Sequence, residues 1–267
     1  MTPRRLLTIP ISHFCEKARW ALERAGLEYR EERHVQGINR IVSRRAGGHG
    51  TLPVLICEAG VLAESEAILR YADAHLREPQ RLFPDGADAV TALCRELDAG
   101  LGPDGRRLMY AHMLPRKDLM LEFNDAGVPR WEDVMMRRLW PVVSFWGRRE
   151  LDVRDDTLEQ DRPRVLAAFD GIAERLQDGR PYLFGERFTA ADLTFAALAA
   201  AVIAPPQYGT PLPQLDVLPE PVARDVEAFR AHPAGAFALR LFREDRPTDL
   251  LSSGRCPTSS ARSSTRS

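Results

Sequence analysis

A change of pattern at Pro84-Asp85-Gly86 restricts what this chain can fold into. Ahead of it, short β-rich runs alternate with helical periodicity; beyond it, every periodic stretch is helical. Residues 4–9 (RRLLTI) read as a strand. Residues 15–25 read as a helix with Cys15, Ala18, Ala21, Leu22 and Ala25 on one face, stopped by Gly26. Residues 28–35 form a weak second strand, and 40–45 suit a short helix. Residues 51–57 (TLPVLIC), the turn Glu58-Ala59-Gly60 and Val61-Leu62 read as a hairpin, and a helix opens at Ala63-Glu64-Ser65 and runs to Leu76. The order β-α-β-α-β-β-α fits a small sheet covered by helices.

The second half reads as a helix over 87–101, broken at Gly102-Pro103 and resumed over 106–113. A kinked helix over 131–149 follows, then helices over 157–177, 189–203, 219–231 and 233–243. The 189–203 stretch (TAADLTFAALAAAVI) is almost entirely apolar and is expected to be central and buried. Thr189 suits its N-cap, with Asp192 three residues on in capping-box fashion. From Arg246 onward Ser, Arg, Pro and Thr dominate without periodicity, and the tail is expected to be disordered. The expected organisation is an α/β domain over 1–84, an all-helical domain over 85–245 and a tail over 246–267.

Composition excludes several classes. A formal net charge of -1, with 28% charged residues, leaves no basic field for nucleic acid or anionic lipid. The longest apolar run is too short to span a bilayer, and the apolar stretch ending at Ile11 is too short for a signal-peptide core. Cys15, Cys57, Cys94 and Cys256 are scattered, with no metal-ligand spacing, and suit free thiols in a reducing cytoplasm. A soluble, cytoplasmic protein without a metal is expected.

Three features of the first 70 residues carry chemistry together. Ser12-His13-Phe14-Cys15 lies between a strand and a helix, Leu52-Pro53 lies inside a strand-like run, and Glu64-Ser65 opens a helix. Singly, each is ordinary capping, bulge or helix-start chemistry. In sequence they read S-x-x-C-x-K-x-R-x-x-L (Ser12, Cys15, Lys17, Arg19, Leu22), T-L-P-V-L (51–55) and E-S-x-A-I-L (Glu64, Ser65, Ala67, Ile68, Leu69). This series resembles the N-terminal domain of the cytosolic glutathione transferases, in their serine-type form. The likeness extends more loosely through Phe188-Thr189-Ala190-Ala191-Asp192.

The resemblance implies a thioredoxin-like glutathione-binding domain followed by an all-helical domain. It implies that Ser12 stabilises the glutathione thiolate. Pro53 would be a cis-proline that turns the backbone of Leu52 toward the cysteinyl part of glutathione, and Glu64 and Ser65 would face the γ-glutamyl end. The glycyl carboxylate would meet Arg45 or His49. Thr189 and Asp192 would be structural. The activity implied is glutathione S-transfer to a small hydrophobic electrophile by a homodimer, the N-terminal domain of one subunit packing on the helical domain of the other. Dehalogenation and isomerisation share the first step.

A few residues are expected further out. His13 and Phe14 are expected at the mouth of the site; adjacent residues entering a helix rarely face each other, so a Ser12–His13 dyad is not. Arg106, Arg107, Tyr110 and Met113 are expected either along a second-substrate pocket or on a solvated basic face with core packing. Trp131, Trp140, Phe145 and Trp146 read mostly as core, Tyr208 as closing the pocket, and Cys57 and Cys94 as buried thiols. Two rivals stand beside the transferase. One is a non-catalytic binding or regulatory protein on the same fold. The other is a glutathione-dependent thiol reductase, which Ser12 disfavours by standing where such proteins carry their first cysteine.

Overall fold

The computed structural model describes residues 3–154 and 156–246. Its first part is β1 (Arg5–Thr8), α1 (His13–Arg24), β2 (Arg30–Arg33), α2 (Ile38–Arg45), β3 (Val54–Cys57), β4 (Gly60–Leu62) and α3 (Ser65–Asp73). The sheet order is β2-β1-β3-β4, with β2 parallel to β1 and both hairpin strands antiparallel to their neighbours. Alternation sorts the strand residues onto two faces. Leu6 and its partner Leu55 join the main core with Trp20 and Ile68, whereas Leu7 and its partner Val54 pack with Cys15 and Leu52.

The second part is α4 (Asp88–Ala99), α5 (Leu101–Met113), α6 (Lys117–Asn124), α7 (Arg130–Glu150), α8 (Thr157–Arg175), α9 (Ala190–Ile203), α10 (Glu220–Ala231) and α11 (Pro233–Glu244). The expected thioredoxin-like half and helical half are both present. No helix among the described residues is long and apolar enough to cross a membrane.

The break falls at Gly100, not at Gly102-Pro103: Pro103 sits in the first turn of α5, where no intrahelical N–H is needed. Helix α6, between Pro115 and Pro129, was not anticipated. Of the aromatics on α7, only Trp140 is core. It shares a buried stripe with Glu132 and Met136 at four-residue spacing, while Trp131, Phe145 and Trp146 lie on another side, each about 60% exposed. Cys57 is also only half-buried, on the edge hairpin.

α9 is the pillar of the molecule, buried along almost its whole length and packed by α1, α4, α5, α10 and α11. Asp192 secures its start. Its Oδ2 accepts from the Thr189 N–H and hydroxyl, both at 2.8 Å, and its Oδ1 accepts from the Leu183 N–H at 2.8 Å. The linker is tied in similarly. Asp73, buried at the end of α3, accepts from the N–H groups of Leu82 and Phe83, and the Leu82 carbonyl accepts from the Ala190 N–H.

α1 carries buried charge on every turn. Lys17 is enclosed and donates to both oxygens of Asp98 on α4, at 2.8 and 2.7 Å. Arg19 binds Glu31 of β2 at 2.7 Å and Glu16 at 3.3 Å. Arg246 closes the group, pairing with Glu16 at 2.8 Å and with Glu23. Arg246, where the disordered tail was expected to begin, is therefore buried because two carboxylates of α1 need a cation; the rest of that tail lies outside the described residues.

Replacing Asp192 by Ala strands two buried N–H groups and the Thr189 hydroxyl. Urea unfolding of Asp192→Ala should show a loss of about 2–4 kcal/mol, and Thr189→Ala about 1 kcal/mol.

Candidate functional site

Strand directions bring the three sequence features to one end of the sheet. β1 runs toward that end and delivers Pro10, Ile11 and Ser12. β3 is antiparallel to it, with Leu7 opposite Val54, so β3 begins there, just after Leu52-Pro53. β4 pairs Leu62 with Leu55 and therefore ends there, leading directly into Glu64 and Ser65. The contact of Cys15 with Leu52 in one apolar cluster fixes the approach of α1 to this edge.

Ser12 has extended backbone and caps α1, its Oγ accepting from the Cys15 N–H at 3.4 Å. It is half-buried. The Leu52-Pro53 bond is cis, as expected, and Leu52 makes no backbone hydrogen bond among the described residues. Ser65 is the first residue of α3 and is 9% exposed, at a terminus whose free N–H groups favour an anion. Glu64 precedes it, extended and exposed. Arg45 ends α2 and His49 lies in the loop beyond; both are exposed.

Cys15 behaves as a packing residue. It is wholly buried, its Sγ accepts from the Ile9 N–H at 3.4 Å, and burial pushes its thiol pKa up. A thiol so placed is a poor redox nucleophile.

The segment after α9 covers the Ser12 loop. The Tyr208 hydroxyl donates to the Ile11 carbonyl at 3.1 Å, Thr210 donates to the Pro10 carbonyl at 3.0 Å, and the Gly209 N–H donates to Glu16 at 3.1 Å. A Cβ at Gly209 would lie 2.6 Å from Glu16 Oε2 and 2.9 Å from Arg19 Cδ, so a larger residue there would have to displace this buried ion-paired cluster. Behind this segment lies an apolar cavity of about 70 Å³ whose wall includes Ile11, Met109, Met113, Val202, Tyr208 and Phe229.

Of the residues expected at the mouth or along the second-substrate pocket, Met113 belongs to that cavity's wall, and His13, Phe14, Arg106, Arg107 and Tyr110 do not. His13 is 3% exposed, not at a mouth, with its ring 4.6 Å from that of Phe14. Burial, with Arg106 and Lys17 nearby, pushes its pKa down to about 3, so it is neutral near pH 7. Phe14 is half-buried against α5, where a Cβ on Gly102 would come within 2.6 Å of its ring. Arg107 turns the other way and is spent on ion pairs with Asp104 and with Asp161 of α8, the latter at 2.7 Å. Tyr110 is buried, its hydroxyl accepting from Gln36 at 2.7 Å, and burial pushes its pKa up to about 12. Arg106, expected with Arg107 either along the pocket or on a solvated basic face, is the one of the two that faces the first half. Gly102, Arg106 and Tyr110 recur every four residues and share the face of α5 that meets the first half. The same spacing was legible in the sequence; which of Arg106 and Arg107 faced inward was not.

The sequence model described as "Glutathione S-transferase, N-terminal domain" matches residues 6–80, and "Glutathione S-transferase, C-terminal domain" matches 155–232. No curated protein sequence matches the chain significantly. Solved structures share the fold. Glutathione transferase GSTFuA3 from Phanerochaete chrysosporium is 20% identical, with 91% of this chain and 97% of that one aligned and a TM-score of 0.60. CsGST63524 of Ceriporiopsis subvermispora, solved in complex with glutathione, is 18% identical over 91% and 97% of the two chains, with a TM-score of 0.57. A glutathione S-transferase from Methylobacterium radiotolerans, solved with glutathione sulfonate, is 21% identical over 89% and 95%, with a TM-score of 0.50.

The buried neutral His13 makes stability depend on pH. An unfolded histidine gains its proton below about 6.5, whereas His13 in the folded protein resists it until about 3. Stability should therefore fall as pH drops from 6.5, by about 2 kcal/mol at pH 5. Urea unfolding of wild type and His13→Gln at both pH values checks this: the variant should lack that share of the loss.

Proposed function

The chain belongs to the glutathione S-transferase family, and on that footing we propose that it binds glutathione, keeps its thiol ionised beside the Ser12 hydroxyl, and adds the thiolate to a small hydrophobic electrophile. One observation carries the reading: Ser12, Leu52-Pro53 and Ser65 gather at a single end of the sheet. In this reading the Leu52 N–H and C=O pair with the cysteinyl backbone as an added strand would. Ser65 and the N–H groups of α3 take the γ-glutamyl carboxylate, and Glu64 takes its ammonium. Arg45 or His49 takes the glycyl carboxylate. The apolar cavity beside Ile11 receives the body of the electrophile. The working unit is a cytoplasmic homodimer acting in detoxification.

The magnitudes suffice. A cysteine-like thiol has a pKa of about 8.5, so only a few per cent is thiolate near neutrality. Lowering that value by ~2 units takes about 2.7 kcal/mol of preferential interaction with the anion. A hydrogen bond donated to a charged group supplies roughly 1.5–3 kcal/mol, and the start of α1 adds about 0.3–1 kcal/mol. The ionised sulfur then attacks the electrophilic carbon, forming the S–C bond as a leaving group departs with its electron pair or as an acceptor takes up a proton.

Retention on immobilised glutathione with release by free glutathione tests the binding half. Ultraviolet thiolate absorbance on adding glutathione, followed against pH, tests the chemical half. Ser12→Ala should raise the bound-thiol pKa by about 1–2 units and lower turnover at pH 6.5 by about 10–100-fold. Retention without thiolate in the wild type would point to a non-catalytic binder. Activity lost in Cys15→Ala and kept in Ser12→Ala would point to a thiol reductase.

A further inference from the structure

Arg106 is placed as a substrate-binding residue would be. It sits on the face of α5 directed at the first half, one turn beyond Gly102, which abuts Phe14, and one turn before Tyr110, which bonds Gln36. It is half-buried, yet it forms no ion pair among the described residues, and its Nε is buried without a hydrogen-bond partner. Its neighbour Arg107 is fully paired. Glu150, the carboxylate whose charge Arg106 feels, is instead paired with Arg40.

Among the described residues no carboxylate pairs directly with Arg106. His13, beside Ser12, is 97% enclosed by its 3% exposure and neutral, and its Nε2 also lacks a partner. Lys17 is neutralised by Asp98. Removing a guanidinium from water without a counter-ion is costly, and proteins rarely leave such a charge unpaired in a dry setting. Burial accordingly lowers the Arg106 pKa. Met109 and Met113, on the same side of the helix, belong to the wall of the apolar cavity.

We propose that Arg106 binds the carboxylate of an anionic electrophile whose apolar body fills the cavity lined by Met109 and Met113. This rests on the transferase reading above and narrows it from hydrophobic electrophiles in general to those that carry an acid. A guanidinium suits this task, because its planar fork meets a carboxylate through two hydrogen bonds. In the reading above, the two carboxylates of glutathione are taken at Ser65 and at Arg45 or His49. The anion left for a cation on the helical half is then that of the second substrate.

A matched pair tests the assignment: 1-chloro-2,4-dinitrobenzene and its acidic counterpart 4-chloro-3,5-dinitrobenzoate, each corrected for its uncatalysed rate with glutathione. The ratio of kcat/KM for the acid to that for the neutral compound should fall about tenfold or more in Arg106→Met and be partly restored in Arg106→Lys. Unreactive 3,5-dinitrobenzoate, titrated calorimetrically into the full chain, should bind the wild type at least tenfold more tightly than Arg106→Met; this arm is read even if neither compound is turned over, an outcome that would count against the transferase reading alone. Thermal unfolding of Arg106→Met should be no lower than that of the wild type, since a charge without a partner is removed. An unchanged ratio with equal dinitrobenzoate binding would overturn the proposal. So would a lowered melting temperature with both substrates affected alike, or a rise confined to the KM for glutathione.

Discussion

Much of this structure depends on how α1 is held. Glu16, Lys17 and Arg19 are buried side by side, and their partners come from β2, α4 and the segment ending at Arg246. Burying charges is expensive, and the attraction offsets the cost only when the geometry is good. Such pairs therefore add little net stability, but they penalise every other placement of the helix. That matters because the first turn of α1 carries Ser12 as its cap. The ion pairs to α4 and Arg246, the packing on α9 and the bonds from Tyr208 and Thr210 together set where the Ser12 hydroxyl stands relative to the helical half.

The candidate site consequently draws on both halves. The sheet supplies the edge at which the Ser12 loop, Leu52 and Ser65 gather; the helical half supplies α5 and the 208–210 segment that close over it. Asp73 and Asp192, each buried at a helix end and each accepting backbone N–H groups from a neighbouring loop, serve as the joints. Both are short acids at helix ends, where local backbone donors are plentiful.

What could be read from the sequence follows from how local each cause is. The element order of the first half and the cap at Thr189 depend on short patterns and were legible locally, whereas the cis bond before Pro53 was implied only by the family resemblance. The start of α5 was misplaced because a Gly-Pro pair breaks a helix in mid-course but not in its first turn, and the register decides which applies. The α7 aromatics were misplaced because four large apolar residues do not fit one stripe, and only tertiary packing selects the face that is covered. Arg106 and Arg107 are adjacent, so they point about 100° apart. Which one meets Asp161 and which one faces His13 depends on α8 and α1, and those lie far away in the sequence.

Arg246 lies 230 residues beyond Glu16 and 223 beyond Glu23. On the ribosome, the first strands and α1 emerge while the cation that completes their electrostatics has yet to be made. Until then Glu16 has Arg19 alone and Glu23 has the Tyr29 hydroxyl. The nascent first half can collapse around Leu6, Trp20 and Leu55, but its helix keeps two acidic groups short of a counter-charge until residue 246 has been translated. Closure by a single guanidinium thus ties the completion of the first half's electrostatics to a residue far along the chain.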